Sequence, residues 1–279
     1  MALSLLLFVY GAGYTINDLG KEDSFSHWIL ISSFLLMWGT MFFWFSEVIK
    51  ENDKGMYSDQ LNTSFVHGMS WFIFSEVMFF FAFFLALGYV RIFAVPWLGG
   101  EGEKGIANIL WPGFEASWPL METPDNERFP GAHHNMSIPA LSKIHTWLPF
   151  WNTLCLVTSS GTIALAEAAL KKGNRKGFKL WMVATLTLGY IFVVLQSVEY
   201  YEAYAHMGLT LGAGIYGTTF FLMTGFHGFH VCLGAIILTI MTIRGFRGAF
   251  SEHEHFGLAA GSWYWHCLLY TSPSPRDLP

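Results

Sequence analysis

Long apolar runs separated by short polar links set the pattern of this chain, and the longest runs match what a helix needs to cross a bilayer. The run GMSWFIFSEVMFFFAFFLALGYV, Gly68 to Val90, holds 23 residues with a single formal charge, Glu76. At about 1.5 Å rise per residue it covers roughly 35 Å, enough for a hydrocarbon core of about 30 Å. The pattern predicts a spanning helix over about 65–89 and further spans over about 27–48, 144–170, 178–201 and 215–243. Two shorter apolar runs lie near the ends. The first, Met1 to Gly13, reads as the outer part of a clipped helix, and the last, Gly257 to Tyr270, stops at Pro273 and Pro275 in an atypical tail, TSPSPRDLP. The segment from Arg91 to Lys143, rich in Gly, Pro and Trp, is expected to be a long, ordered connection rather than a span.

Composition sharpens the class. Of 279 residues 53% are hydrophobic and only 13% charged, roughly half the charged content of a soluble domain, which makes this an integral membrane protein. The net charge of −5 comes without any basic patch interleaved with aromatics, so nucleic acid is not an expected partner. Cys155, Cys232 and Cys267 sit in separate runs without CxxC spacing and read as small apolar packers.

The placement of charge gives topology. Lys50, Lys54, Lys171, Lys172, Arg175, Lys176, Lys179, Arg244 and Arg247 all fall in links of one parity, whereas the short links of the other parity hold only Lys21. Short loops rich in Lys and Arg stay on the cytoplasmic side or its organellar equivalent. The 91–143 segment and the EYYEA end of the fifth span therefore face outward. The tryptophans of WPGFEASWPL suit a membrane interface, and His133 and His134 read as a solvated turn.

Glu76 is the first candidate for chemistry. A carboxylate at that depth costs at least about 2.5–3.5 kcal/mol on insertion scales, and its helical neighbours Phe72, Ile73, Phe79 and Phe80 offer no polar contact. Its partner must come from another helix. The sixth span carries GFHGFHVCLGA, with His227 and His230 three positions apart at comparable depth, and either imidazole would serve. A metal site would need further His or carboxylate ligands from facing helices, so these histidines read as hydrogen-bonded to neighbours, and neither metal ligands nor catalytic residues are expected in this chain. Gly217, Gly225, Gly228 and Gly234 give the same span a small-residue face for close helix packing.

Four stretches in chain order carry a resemblance: SEVMFF around Glu76, QSVEYYEA ending near Glu202, YGTTFFLMTGFHGFHVCLGA from Tyr216, and HFGLAAGSWYWH from His255. Together they resemble subunit III of the haem–copper cytochrome c oxidases. The resemblance implies an all-α, polytopic transmembrane helix bundle of the seven-helix type, with residues 1–50 forming two helices beside a lipid cleft, 51–64 an inner link, 65–270 helices three to seven and 271–279 the atypical tail. It implies a non-catalytic subunit of a complex that reduces O₂ to water and pumps protons, packed against subunit I with subunit II nearby. Haem and copper are then expected in the partner subunits, with none in this chain, and bound phospholipid is expected. Enzymatic activity belongs to the assembly rather than to the isolated chain.

The residues it singles out are Glu76 with His227 or His230, the lipid-binding candidates His67 and Arg244, and the outer helix-end motif Glu199, Tyr200, Tyr201 and Glu202. His67 stands where the family commonly has arginine, and Glu167 near where it often has paired histidines. The bacterial inner membrane is the favoured location, the mitochondrial inner membrane the alternative. Two other readings stay open: subunit III of a quinol oxidase, and a proton channel or transporter using Glu76 with His227 and His230.

Overall fold

The computed structural model describes residues 2–18, 25–134, 141–251 and 255–271. Lys21 and the tail with Pro273 and Pro275 lie outside these residues. Among the described residues there is no strand, and seven helices carry the chain: α1 (Ala2–Asn17), α2 (Ser26–Asp53), α3 (Asp59–Tyr89), α4 (Leu148–Lys171), α5 (Arg175–Ala205), α6 (Gly214–Phe246) and α7 (Phe256–Thr271). Five of the described helices are long and apolar enough to cross a membrane, while α1 and α7 each have 16 residues.

The chain falls into two compact units, Met1–Ser64 and Phe65–Pro279. In the first, α1 and α2 form an antiparallel pair. Gly11 permits their close crossing, because a Cβ there would stand 3.1 Å from the Leu30 backbone. Ser4 meets Thr40 at 3.3 Å and Thr15 donates to Ser26 O at 3.2 Å, so polar contacts fasten both ends of the pair. An apolar groove runs along it, lined by Phe8, Ile16, Ile31, Phe34 and Leu35 among others.

The second unit is a bundle of α3 to α7. The α4–α5 pair packs along its whole length, with the hydroxyls of Thr162 and Thr185 2.8 Å apart in the seam. Trp265 of α7 fills the meeting point of three other helices. It is almost fully buried, lies against Gly189 of α5 and Gly234 of α6, and donates its indole N–H to Ser159 Oγ of α4 at 2.9 Å. A Cβ at either glycine would sit 2.9 Å from the ring, closer than carbon atoms approach, so only glycine leaves the slot open.

The tight turn from α4 to α5 shows a local rule overruled. Asn174 caps α5, its Oδ1 accepting from Gly177 N at 2.9 Å. Yet Arg175, Lys176 and Lys179 occupy the first turns, where the positive end of the helix dipole disfavours cations by about 0.3–1 kcal/mol each. Orientation in the membrane, rather than helix stability, accounts for cations there.

The outer segment begins later than the apolar pattern predicts. Instead of leaving the helix at Arg91, the chain continues through a π-helical turn, Val90–Ala94, and a last α turn, Val95–Leu98. Pro96 is tolerated because it sits in the first turn of the resumed α register, where no backbone N–H is required of it. Beyond Leu98 the connection folds back. Phe114, Leu120 and Ala132 are buried with Leu87 and Val95 of the α3 end and Tyr216 and Phe220 of α6, forming a second core at the outer end of the bundle. The segment's tryptophans are engaged within the chain: Lys104 lies over Trp97, and Trp118 meets Tyr216 edge-on with centroids 6.0 Å apart.

Candidate intramembrane carboxyl–imidazole site

Glu76 projects from the middle of α3 and His230 from the middle of α6. Glu76 Oε2 stands 2.7 Å from His230 Nε2, and both side chains are largely shielded, at 19% and 13% exposure. The oxygen approaches off the axis of the ring nitrogen, so the two groups are in close polar contact without a linear hydrogen bond. On its other side the ring is fixed: Nδ1–H donates to Phe226 O at 2.6 Å, one turn back on the same helix. A carbonyl can only accept, so Nδ1 carries hydrogen.

That assignment limits the chemistry of the pair. Nε2 is then either a bare acceptor facing a protonated carboxyl or the second N–H of an imidazolium facing a carboxylate. A pair that holds one proton between its two groups is neutral as a whole. Such a pair avoids the cost of an isolated charge in lipid, which explains how α3 retains an acid at this depth. The rings of Phe79, Phe80 and Phe229 surround the imidazole at centroid distances of 5.9, 5.5 and 5.8 Å.

His227 takes a different direction. It is buried, its Nε2 lies 3.2 Å from Leu268 O of α7, and its ring sits edge-on between Phe80 and Phe192. The imidazole nitrogen donates to that carbonyl, tying α6 to α7. The two histidines are thus divided between two neighbours. Among the described residues no group of three or more His, Cys, Asp or Glu is placed to hold a metal ion.

The outer motif is divided as well. Glu199 is buried, and its Oε2 accepts from Asn152 Nδ2 of α4 at 2.9 Å. Tyr200 turns toward α6, its hydroxyl 2.7 Å from Thr224 Oγ1. Thr224 itself donates to Phe220 O, so the tyrosine hydroxyl is the donor of that contact. Tyr201 and Glu202 point outward, Tyr201 edge-on to the His206 ring at 5.9 Å. Helical rotation of 100° per residue thus splits four adjacent residues into an inward and an outward pair.

The lipid candidates are separate from this site. His67 is exposed on the first part of α3. Arg244 is half-buried at the end of α6, its guanidinium 5.6 Å from the centre of the Phe250 ring. His133 and His134 both donate backbone N–H to Met207 O and stay solvent-exposed. Asn152 is a buried polar partner that the apolar pattern passes over; its only signal is an amide in a largely apolar run.

With this geometry in place, comparison with known proteins is specific. The family model described as Cytochrome c oxidase subunit III matches residues 2–109 and 131–270. A protein of Oryctolagus cuniculus named cytochrome c oxidase subunit 3 is 34% identical over 228 residues, covering 81% of this chain and 73% of its own length. The protein of the same name from Loxodonta africana is 36% identical over 228 residues, covering 81% and 73%, and that of Arabidopsis thaliana 34% identical over 229 residues, covering 81% and 72%. Seven helices, five of them able to span, and matches over most of the sequence lead to one conclusion: this integral membrane protein belongs to the cytochrome c oxidase subunit III family.

Proposed function

We propose that this subunit serves the oxidase from outside its redox centres: it packs against subunit I, retains phospholipid, and sustains proton uptake through repeated turnover. The observation that carries this reading is the Glu76–His230 contact. The acid's partner is a residue of its own chain, and the pair sits among phenylalanine rings, so it suits tuning and anchoring rather than ligation of a cofactor. The exposed apolar faces of α2, α3 and α6 suit packing against membrane helices or lipid. The apolar groove of the α1–α2 pair is suited to an acyl chain, and Arg244 and His67 to phosphate. Haem and copper then reside in the partners, subunits I and II.

The test is the oxidase purified with and without this chain. Removal leaves the optical spectrum of the metal centres intact and the initial rate near normal, while activity decays during continued turnover. Glu76→Gln reproduces only part of that decay. Loss of the haem spectrum in an otherwise folded complex, or a block of the first turnover by Glu76→Gln, overturns the proposal.

A further inference from the structure

The carboxyl–imidazole pair has a third wall, built by α7. Tyr264, Cys267 and Leu268 are spaced i, i+3, i+4 and so share one helix face. Tyr264 and Cys267 are 4% and 5% exposed, and both stand within electrostatic reach of the Glu76 carboxyl. Tyr264 touches both helices of the pair at once. Its hydroxyl donates to His230 O of α6 at 3.4 Å, and its ring lies on Phe72 of α3, one turn before Glu76, with centroids 5.9 Å apart and planes at 30°. Leu268, one turn further along α7, takes the other histidine, its carbonyl oxygen standing 3.2 Å from His227 Nε2.

Ring packing alone does not decide which imidazole meets Glu76. Phe80 of α3 lies 5.5 Å from the His230 ring and 6.3 Å from the His227 ring, both inside the roughly 4.5–7 Å range of favourable ring contacts. Phe79 and Phe83 meet α6 at Phe226, at 5.3 and 5.5 Å, and such contacts carry no preference for one imidazole over the other. Directional bonds do. Two successive turns of α7 each hold one turn of α6: Leu268 O turns His227 toward α7, and the Tyr264 hydroxyl holds the backbone at His230. With α6 fixed about its axis, His230, about 300° onward from His227, is left to face α3. The Tyr264 ring braces Phe72 and so sets the height at which Glu76 arrives.

We propose that Tyr264 is the positioning residue of the Glu76–His230 pair, and that α7 thereby assigns His230, rather than His227, to the acid. The tyrosine neither ligates nor protonates the two groups; it holds the helices that carry them at matching height. The inference rests on the Glu76–His230 contact, and it deepens the role proposed above by naming what keeps that contact in register.

The test reads the Glu76 band in infrared difference spectra of the assembled oxidase, assigned by its loss in Glu76→Gln. Tyr264→Phe keeps the ring and its packing and removes only the hydroxyl. Its Glu76 band should move part of the way toward the band of His230→Phe, where the partner is gone. The same change made in the His230→Phe background should produce no further shift. Tyr190→Phe removes a different interhelical tyrosine hydroxyl, 3.0 Å from Thr239 Oγ1, and should leave the band in place. An unmoved band in Tyr264→Phe, a shift of equal size in Tyr190→Phe, or a shift that persists undiminished without His230 each overturn the inference. The band is read without turnover. Its shift alongside undiminished sustained activity therefore upholds the positioning role and tells against the proposed function, while decay of activity with an unmoved band does the reverse.

Discussion

Trp265 and Ser159 are 106 residues apart in sequence, and the indole N–H of one donates to the hydroxyl of the other at 2.9 Å in a fully enclosed site. Ser159→Ala leaves that N–H buried without an acceptor and should cost about 1–3 kcal/mol. Gly234→Val, which places branched carbon atoms against the ring, should cost at least as much and reduce the amount of assembled complex. Thermal melting of the purified oxidase, followed through this subunit's release, checks both. A melting temperature unchanged by either substitution would show that the slot contributes nothing to cohesion.

For Glu76 and His230, the shared proton gives a signed expectation. Glu76→Leu leaves Nε2 without a partner, and His230→Phe leaves a carboxyl without one, each costing about 1–3 kcal/mol. The double variant should be less damaged than the sum of the two, with a coupling of about 0.5–3 kcal/mol. Glu76→Gln keeps an N–H to offer the imidazole and should be mild. Additive single effects would mean that the two groups do not act together.

Infrared difference spectroscopy addresses the proton itself. A protonated Glu76 gives a carbonyl band that disappears in Glu76→Gln, whereas an imidazolium–carboxylate pair gives none there. In either case His230→Phe should leave the carboxyl protonated, because an isolated carboxylate in lipid is the costlier state. A variant that shows an ionised carboxylate instead would contradict the single-proton description.

The buried Asn152–Glu199 contact predicts an asymmetry between partners. Asn152→Leu strips a buried carboxyl of its amide donor and should destabilise by about 1–3 kcal/mol. Glu199→Gln preserves an acceptor oxygen for Asn152 and should be nearly silent. Melting of the complex distinguishes them, and equal effects would argue against the hydrogen bond.

Arg244→Ala should lower the phospholipid that copurifies with the complex, if the guanidinium holds a phosphate by charge-assisted hydrogen bonds. Quantitative lipid analysis is the measurement. Phospholipid content equal to that of the unsubstituted complex would reduce Arg244 to a helix-end residue lying along Phe250.

Much of the fold was legible because lipid demands continuous apolar runs, and each predicted span is a helix within a few residues. The exception is instructive. Helix α3 ends where predicted, at Tyr89, but the helical rod runs on for nine more residues to Leu98, because Arg91 and Pro96 are accommodated by a π turn that only three-dimensional packing can justify. Apolar neighbours on α3 already implied that Glu76 needs a partner from elsewhere. Which imidazole approaches it was hidden, since His227 and His230 differ by only about 60° around α6 and the choice depends on the side from which α3 arrives. Likewise QSVEYYEA reads as one motif, yet its two halves face opposite ways. The Trp265 slot left almost no trace, because glycine and serine on three separate helices carry no shared pattern.

The slot that receives Trp265 also imposes an order on biogenesis. Its walls come from positions 159, 189 and 234, and all three emerge from the ribosome before the tryptophan does. Until α7 follows, the inserted α4–α6 core holds an open seam where the indole will sit. The last helix thus acts as the closing stone of the larger unit, and a nascent chain arrested before residue 265 would present cellular quality control with a visible gap rather than a slightly weakened protein.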